Sequence, residues 1–344
     1  MLQFVTIFTR VSIMKNINQF PRYQLVPAQT LIMKLNRLSA KLAGPTIYLK
    51  RDDTNFIGGG GNKLRKLEFY LGAAKEQGCD TILAMGAWQS NHARLSAAAA
   101  LNAGFECEII LGKKVARDDN DYNVNGNLVL DRIMGIKIHE TNADADLMAI
   151  AIARKAELEA QGKKAYIIPF GGSSALGSLG YVNCAMEIQE QAQNLGVNFD
   201  YIVTTNGSSG THAGLLAGCK ILQSTTKVIG YNVLKPTVDT LPVTLQVTQD
   251  TLDLLETNLT VTAEDVLLND QYIGTGYGQP TEAMREAVKM VAHEEGIFLD
   301  PVYSGKAFSG LIGDIRAGKY TKGQNILFIM TGGAPGLYAY QAEF

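Results

Sequence analysis

One lysine is a candidate for covalent chemistry, because it follows four consecutive glycines and opens a helical pattern. The segment GGGGNKLRKLEF places Lys63 directly after Asn62 at the predicted start of a helix. Glycines allow the backbone to pack closely against a flat or charged ligand. A lysine held near the positive end of a helix dipole loses basicity, as an amine that forms Schiff bases requires. The alternative is an ordinary solvated surface lysine.

A second polar segment, GAWQSNHARLSAAA, lies between a predicted strand and a helix of small residues. Ser90, Asn91 and His92 offer a hydroxyl, an amide and an imidazole beside the backbone N–H groups of a helix N-terminus. Such a set suits a carboxylate. Ordinary capping of the helix by Ser90 or Asn91 explains the same residues, so both interpretations stay open from the sequence.

A third segment, TTNGSSGTHAGLLAG, follows the predicted strand YIVTTN and opens a helix at Thr211 or His212. Its backbone N–H groups, the helix dipole and the hydroxyls of Ser208, Ser209 and Thr211 all favour an anion. The segment matches neither GxxxxGK[ST] nor GxGxxG, which argues against a nucleoside triphosphate or a dinucleotide. We therefore predict that this loop binds a single phosphate monoester.

Loops near the C-terminus carry two tyrosines beside glycines rather than at periodic core positions. They are Tyr277 in GTGYGQPTEAM and Tyr303 in LDPVYSGKAFSG. Each is either a packing residue with a hydrogen-bonded hydroxyl or an acid–base group. Ser304, and Thr331 in IMTGGAPG, are either polar contacts or simple turn residues. One lysine, a monophosphate site, a carboxylate site and two tyrosines together suggest pyridoxal phosphate chemistry on an amino acid.

The elements that position these residues alternate between helix and strand. From about residue 60, strand-like runs such as TILAMG, CEIILG, YIVTTN and NILFIM are separated by segments of helix length. This alternation predicts parallel pairing with right-handed crossovers, and therefore an α/β fold. We expect Asn62 to cap the Lys63 helix, Gly78 to end it, and a later helix to begin at Tyr181.

Composition excludes several other classes of protein. Of the 344 residues, 46% are hydrophobic and 19% charged, which indicates a packed globular protein rather than a disordered one. A net charge of −2 predicts no surface for nucleic acid, and no apolar run reaches the ~18 residues that a membrane span needs. The widely spaced cysteines and histidines predict reduced thiols, no metal site and a cytoplasmic location. We expect residues 1–13 to be a disordered extension.

The sequence resembles the family of pyridoxal-phosphate enzymes that includes D-cysteine desulfhydrase and 1-aminocyclopropane-1-carboxylate (ACC) deaminase. The likeness runs from FPRYQL and YLKRDD to the C-terminal TGG, and it is carried by GGNKLRKLE, QSNHAR, PFGGSSALGSLGYV and LDPVYSGKAF. It implies the tryptophan synthase β-type fold (fold type II), with two open, twisted, mostly parallel sheets and helices on both faces. It also implies a homodimer, a large domain of residues 1–58 and 176–344, and a small domain of residues 59–175.

The resemblance further implies which residues bind pyridoxal phosphate. Lys63 would hold the cofactor covalently. The remaining positions would contact its phosphate or its ring, and they are Lys66, Asn91, Gly207, Ser208, Ser209, Gly210, Thr211, Ser304 and Thr331. Lys66 and the 207–211 loop would hold the phosphate and Asn91 would face the ring hydroxyl. Ser304 and Thr331 would lie near the pyridine nitrogen.

The substrate would bind beside this cofactor. By the same resemblance, Ser90, Asn91 and His92 would receive its carboxylate, and Tyr277 and Tyr303 would lie over it and transfer protons. Lys63, Ser90 and the two tyrosines form the catalytic set. Trp88, where the family usually has a small aliphatic residue, is either a wall of the pocket that contacts substrate or an anchor in the core or at an interface.

Two residues favour one activity within the family. ACC deaminases resemble one another in placing a glutamate after the PVY tyrosine, where this chain has Ser304. A hydroxyl stabilises a protonated pyridine less than a carboxylate does, and the weaker electron sink still suffices for α,β-elimination. His92 also follows QSN, as in desulfhydrases. The sequence therefore favours a D-cysteine desulfhydrase; the alternatives are ACC deaminase and a lyase for another β-substituted amino acid such as cysteate.

Overall fold

The computed structural model describes residues 15–344, so the expected extension of residues 1–13 lies outside the described residues. Within this range the strands are β1 (Ile32–Lys34), β2 (Thr46–Arg51), β3 (Thr81–Ala87), β4 (Glu106–Gly112), β5 (Lys137–Thr141), β6 (Ala165–Ile168), β7 (Tyr201–Asn206), β8 (Lys227–Asn232), β9 (Leu267–Asn269) and β10 (Asn325–Met330). The helices are α1 (Asn36–Leu42), α2 (Lys63–Glu76), α3 (Asn91–Asn102), α4 (Asn120–Val124), α5 (Asn127–Ile133), α6 (Leu147–Ala160), α7 (Ala175–Leu195), α8 (Gly210–Ile221), α9 (Thr237–Leu254), α10 (Glu282–Glu295), α11 (Ser304–Arg316) and α12 (Pro335–Ala339). None of these helices has the length and apolar character needed to cross a membrane.

The strands form two mostly parallel sheets, which confirms the predicted α/β class. The larger sheet has the order β1-β2-β10-β7-β8-β9, with β1 and β2 antiparallel and the other pairs parallel. The smaller sheet has the order β5-β4-β3-β6 and is parallel throughout. Its strands come from residues 81–168, whereas those of the larger sheet come from 32–51 and 201–330. The bounds of the predicted domains, 59–175 against 1–58 and 176–344, stay a prediction.

The larger sheet is buried on both faces, as its continuous apolar strands require. Successive side chains of β10 point to opposite faces. Phe328 packs with Phe308 of α11 on one face, while Leu327 packs with Tyr181 of α7 and Leu215 of α8 on the other. Helices therefore cover the sheet from both sides, and their N-termini are brought to the ends of its strands.

Helix α7 begins earlier than its glycines suggest, so the start predicted at Tyr181 is wrong. It begins at Ala175, after Ser174, whose side chain accepts a hydrogen bond from the Gly177 N–H. Gly180 is a packing residue rather than a loop residue, since a Cβ there would lie 2.2 Å from the backbone oxygen of Arg65 in α2. The missing side chain lets the two helices approach closely.

A buried ion-pair cluster fixes the rotation of α2. Arg65 Nε lies 2.9 Å from Asp52 Oδ2, and its Nη1 lies 2.8 Å from Glu187 Oε1 in α7. Burial makes such a pair costly to break, because removing one partner leaves a buried charge alone. Lys63 precedes Arg65 by two positions, which places it about 200° around the helix from Arg65. Anchoring Arg65 against the large-sheet layer therefore turns Lys63 the other way.

Candidate active site

A cavity opens where β3, β7 and β10 end, and it measures about 690 Å³ including the space at its mouth. The carboxyl ends of parallel strands are the expected place for a ligand in such a fold. The predicted residues that line it are Lys63, Ser90, Asn91, His92, Gly207, Ser208, Ser209, Thr211, Tyr277, Tyr303 and Thr331. Four other predicted residues, Lys66, Trp88, Gly210 and Ser304, are outside this lining.

Lys63 is the first residue of α2 and lines the cavity. The four glycines before it all have positive φ, and at Gly60 a Cβ would lie 2.2 Å from the Asp53 backbone oxygen. Only glycine therefore fits this turn without strain. Burial lowers the pKa of the Lys63 amine to about 8. A lysine with this pKa is a better nucleophile and base near neutral pH than a solvated one.

The predicted cap of this helix needs correction. Asn62 precedes α2, as expected, but its side chain makes no capping hydrogen bond. Instead its Nδ2 donates to Thr211 Oγ1 at 3.1 Å. Asn62 thus connects the start of α2 to the start of α8, and it also lines the cavity.

The start of α8 has the geometry expected of an anion site, and binding of a phosphate there stays a prediction. The helix begins at Gly210. The first backbone hydrogen bond of the helix runs from the Ala213 N–H to the Ser209 carbonyl. The N–H groups of Thr211 and His212 precede that bond, so helix geometry leaves them without an intrahelical acceptor. Ser209 takes a left-handed φ of 68°, and strain of this kind is concentrated at ligand sites. The N–H groups and hydroxyls here suit a phosphate.

Lys66 supports this loop from behind rather than from within the cavity. Its Nζ donates to Ser173 Oγ at 3.2 Å and to the Gly171 carbonyl at 3.3 Å, and Ser173 Oγ in turn lies 2.8 Å from Ser208 Oγ. A Cβ on Gly210 would lie 2.9 Å from Lys66 Nζ. Burial and the nearby Lys63 charge hold the pKa of Lys66 well below its usual value. Direct contact between Lys66 and a phosphate stays a prediction.

The segment after β3 supplies polar groups from the opposite wall. Ser90 caps α3, since its Oγ accepts a hydrogen bond from the Ala93 N–H at 3.1 Å. Its hydroxyl proton is not used by that bond, so Ser90 can cap the helix and still donate to a carboxylate. The two interpretations that the sequence left open are therefore compatible.

His92 lines the cavity, but its ring nitrogens point to protein atoms. Nε2 lies 3.1 Å from the Pro169 carbonyl and Nδ1 lies 3.5 Å from Ser96 Oγ. Burial, then the charges of Lys63 and Lys66, hold the pKa of His92 well below its usual value, so the ring is neutral. His92 can offer its backbone N–H at the start of α3, whereas the predicted contact between its ring and a substrate carboxylate needs correction.

Two tyrosines face the cavity as a hydrogen-bonded pair. Tyr277 Oη and Tyr303 Oη are hydrogen-bonded to each other, and their rings are edge to face with centroids 6.0 Å apart. Burial raises the pKa of Tyr277 to about 12 and that of Tyr303 well above its usual value. Both hydroxyls therefore keep their protons near neutral pH and can donate them.

Asp300, which the sequence analysis missed, holds Tyr303 in place. This buried carboxylate accepts hydrogen bonds from the backbone N–H groups of Val302, Tyr303 and Ser304 at 2.7–3.0 Å. The side chain of Ser304 also donates to Asp300 Oδ1, at 2.6 Å. Ser304 therefore faces Asp300 and is outside the cavity lining, which does not support its place beside a pyridine nitrogen; that place stays a prediction. The motif LDPVYSG contained the signal, because an aspartate before a turn commonly accepts such backbone bonds.

Thr331 and Asn91 present polar atoms that lack a partner in the protein. Thr331 Oγ1 and Asn91 Oδ1 are buried without a hydrogen-bond partner among residues 15–344. Buried polar groups are nearly always satisfied, so each such atom indicates a ligand or water in the working enzyme. Both residues line the cavity, as predicted.

Trp88 belongs to the core and not to the cavity wall. Its side chain is buried in the cluster that holds Leu95, Val115 and Tyr122, and Lys113 Nζ lies 5.1 Å from its ring. Of the two predicted roles, the core anchor is the one that agrees with this placement. The prediction that Trp88 contacts substrate needs correction.

Other lining residues escaped the sequence analysis as site residues. They are Asn62, Phe170, Gly171, Thr205, Asn206 and Leu234. Phe170 and Gly171 lie within PFGGSS, and Asn206 directly precedes the GSSG loop, so proximity to a glycine-rich segment was an available signal. Leu234 carries no such signal, because it follows β8 without a distinctive motif.

Comparison with known proteins gives one consistent result. A family model described as "pyridoxal-phosphate dependent enzyme" matches residues 23–332. D-cysteine desulfhydrase of Serratia proteamaculans is 40% identical over 333 residues, which cover 97% of this chain and 100% of the relative. D-cysteine desulfhydrase of Salmonella typhi is 43% identical over 329 residues, which cover 94% and 98%.

Solved structures agree with this result. A crystal structure of an ACC deaminase homologue has a TM-score of 0.86 and 37% identity, and the match covers 95% of this chain and 96% of the other. A threonine deaminase structure has a TM-score of 0.61 at 18% identity, with coverage of 89% and 92%, and shows the fold alone. The predicted fold type is thereby confirmed.

Proposed function

The chain belongs to the family of pyridoxal-phosphate dependent enzymes, and from that premise we propose that it is a D-cysteine desulfhydrase. The reaction converts D-cysteine and water to pyruvate, hydrogen sulfide and ammonia. The main observation behind the proposal is that Lys63 and the hydrogen-bonded pair Tyr277 and Tyr303 line the same cavity. The full-length likeness to D-cysteine desulfhydrases supports the choice of substrate.

The residues of the cavity fit pyridoxal phosphate. An amine with a pKa of about 8 is available for its aldehyde, and the start of α8 offers N–H groups and hydroxyls for its phosphate. Thr331 Oγ1 and Asn91 Oδ1, which have no partner among residues 15–344, suit its pyridine nitrogen and ring hydroxyl. Bound there, the cofactor would supply an electron sink that acidifies the substrate Cα–H.

The protein's own groups then bind the substrate and move its protons. The Ser90 hydroxyl and the first N–H groups of α3 hold the carboxylate. Lys63 Nζ, which is partly neutral near pH 7 because of its lowered pKa, accepts the Cα proton. Tyr277 and Tyr303 keep their protons at this pH, and a proton from this pair reaches the sulfur as the C–S bond breaks.

ACC deaminase is a second candidate, favoured by the likeness to the ACC deaminase homologue. We assign the pyridine nitrogen to the Thr331 hydroxyl, which has no partner among residues 15–344, because the Ser304 hydroxyl is hydrogen-bonded to Asp300. A hydroxyl leaves the ring closer to neutral than a carboxylate does. The weaker electron sink still suffices for elimination of a thiolate, which supports the desulfhydrase.

Product analysis separates the candidates. Purified enzyme is supplied in turn with D-cysteine, L-cysteine, cysteate and ACC, and keto acid and sulfide are measured. We expect D-cysteine to react fastest and to give pyruvate and sulfide in equal amounts. Faster release of 2-oxobutyrate from ACC, or of pyruvate and sulfite from cysteate, would assign the enzyme to the corresponding alternative.

We also propose that the enzyme is a cytoplasmic homodimer. Phe56 is 91% exposed and Ile133 is 75% exposed in the single chain, and a second copy would shield such side chains from water. The cysteines of residues 15–344 are free thiols, which suits a reducing compartment. Sedimentation analysis that returns a monomer at micromolar concentration would contradict the dimer.

A further inference from the structure

Lys306 is a buried lysine that the proposed mechanism does not use. It lies on α11 one turn after Tyr303, and its side chain is 1% exposed. Its Nζ donates to the Ile273 carbonyl at 2.6 Å and to the Gly276 carbonyl at 2.8 Å. Both carbonyls belong to the loop that carries Tyr277. The lysine therefore joins the segment of one catalytic tyrosine to the helix that follows the other.

The backbone of this loop is held only weakly by its own hydrogen bonds within residues 15–344. Gly274, Gly276 and Gly278 all have positive φ, and the backbone bonds at its two ends, from Ile273 to Asp270 and from Gln279 to Gly276, are both 3.3 Å long. A second tether, from Tyr340 Oη to the Gly278 carbonyl at 2.8 Å, follows Tyr277. Lys306 supplies the hydrogen bonds to the part of the loop before Tyr277. These bonds are charge-assisted, and such bonds are stronger than neutral ones.

The isolation of this lysine from acidic groups makes its placement informative. Within residues 15–344 no carboxylate forms an ion pair with Lys306, and burial lowers its pKa to about 8. A buried ammonium without a carboxylate is costly, and a methionine of similar shape would fill the same space without that cost. The two loop carbonyls that accept hydrogen bonds from Lys306 partly offset the cost of burying its charge.

We propose that Lys306 is a positioning residue that sets the contact between Tyr277 and Tyr303. It fixes the loop so that the Tyr277 hydroxyl reaches its partner across the cavity. This inference rests on the proposed function, in which the tyrosine pair delivers a proton to the departing sulfur. Loss of the tether lets Tyr277 move while Lys63 and the α8 loop keep their geometry.

Kinetics of the holoenzyme test this role. We expect Lys306→Met to lower kcat for D-cysteine by about tenfold to 100-fold, the range that a small misplacement of a catalytic group produces. KM and the cofactor absorbance at Lys63 should stay unchanged, which a general loss of structure would not allow. Lys306→Gln keeps a neutral amide NH2 donor without the charge and should be intermediate. Lys289→Met, at an exposed position of the adjacent α10, is the matched control and should resemble wild type.

A double-mutant cycle shows whether Lys306 acts through the tyrosine. If it does, Lys306→Met has no further effect on kcat in a Tyr277→Phe background. Multiplicative effects of the two substitutions would overturn the proposal. Should Lys306→Met fail to fold, the same cycle is run with Lys306→Gln.

Hydrogen exchange gives a readout that does not depend on the substrate. In the holoenzyme, amides 274–278 should exchange faster in Lys306→Met than in Lys289→Met, with α2 and α8 unaffected. Unchanged exchange in this loop would refute the role of Lys306. If wild-type enzyme releases no pyruvate from D-cysteine, the proposed function fails, while the exchange result still decides whether Lys306 holds the loop.

Discussion

Helices α2 and α8 both begin at the same cavity after glycine-rich loops, yet their first residues differ in charge. Helix α8 begins at Gly210 after Ser208 and Ser209, and these two serines and Thr211 line the cavity. Helix α2 begins with Lys63, a cation, where helix dipoles favour anions. One helix start is therefore built to attract a negative group, and the other places a lysine where its charge is disfavoured.

The contrast shows how one local geometry serves two chemical purposes. At α8 the positive end of the helix is suited to an anion, as we propose for the cofactor phosphate. At α2, burial lowers the pKa of Lys63 to about 8, and the helix dipole acts in the same direction. A hydrogen bond from Asn62 to Thr211 joins the two helix starts. The amine and the anion site are thus held at a fixed separation, as a cofactor with an aldehyde at one side and a phosphate at the other requires.

Replacing Lys63 should have the largest effect, because it removes the covalent chemistry at α2 and leaves the proposed phosphate site at α8 intact. We expect Lys63→Ala to lower kcat for D-cysteine by about 1,000-fold or more, because the variant loses both the covalent anchor and the base. It should still bind pyridoxal phosphate through α8, without the absorbance of the lysine-bound form. Absorbance spectra and pyruvate release measure the two effects.

The matched control for that variant is Lys75→Ala, at the exposed C-terminal end of the same helix. It should keep wild-type turnover. Wild-type activity in Lys63→Ala would contradict the assignment of the lysine. Complete failure of that variant to bind the cofactor would show that α8 does not hold the phosphate independently.

The pH dependence of reconstitution tests the lowered basicity of Lys63. Only the neutral amine attacks an aldehyde, so the rate at which apoprotein gains the lysine-bound absorbance should rise about tenfold per pH unit below the amine pKa. With a pKa of about 8, the rise should level off near pH 9. The same reaction of Nα-acetyl-lysine, once its rate is divided by the neutral fraction of its own amine, corrects for ionisation of the cofactor itself. A corrected rate that still climbs tenfold between pH 9 and 10 would show an unshifted lysine.

Local patterns predicted these two helix starts to within one or two residues: α2 starts after Asn62 as expected, whereas α8 starts at Gly210 rather than at Thr211 or His212. Lys63 follows a run of glycines, and the Ser208 loop follows a buried strand, so each could be placed from its own neighbours in the chain. The α/β fold followed in the same way from alternating strand and helix patterns. The cavity was then expected where the strands end, because that position is a property of the fold class.

Side-chain partners could not be predicted, because they come from distant parts of the chain. Asn62 reads as a cap until folding places Thr211 beside it. Ser304 is an exception, since its partner Asp300 lies only four residues before it and the motif LDPVYSG held that signal. The ring of His92 is satisfied by the Pro169 carbonyl, far along the sequence. Residue type gives the capability of a group, whereas its direction depends on tertiary packing.

Loss of the hydrogen bond between Asn62 and Thr211 should have a smaller effect than the change at Lys63 or the pH dependence described above. Asn62→Ala removes one neutral hydrogen bond, worth about 1 kcal/mol, which corresponds to roughly a fivefold weaker affinity for pyridoxal phosphate. Thr211→Val removes the acceptor with little change of shape. Its affinity for pyridoxal phosphate should fall further than that of Asn62→Ala, because Thr211 also lines the proposed anion site. The double variant should bind the cofactor as Thr211→Val does, since the Asn62 bond is already absent there. Independent losses, measured by cofactor titration, would mean that the two helix starts do not act together.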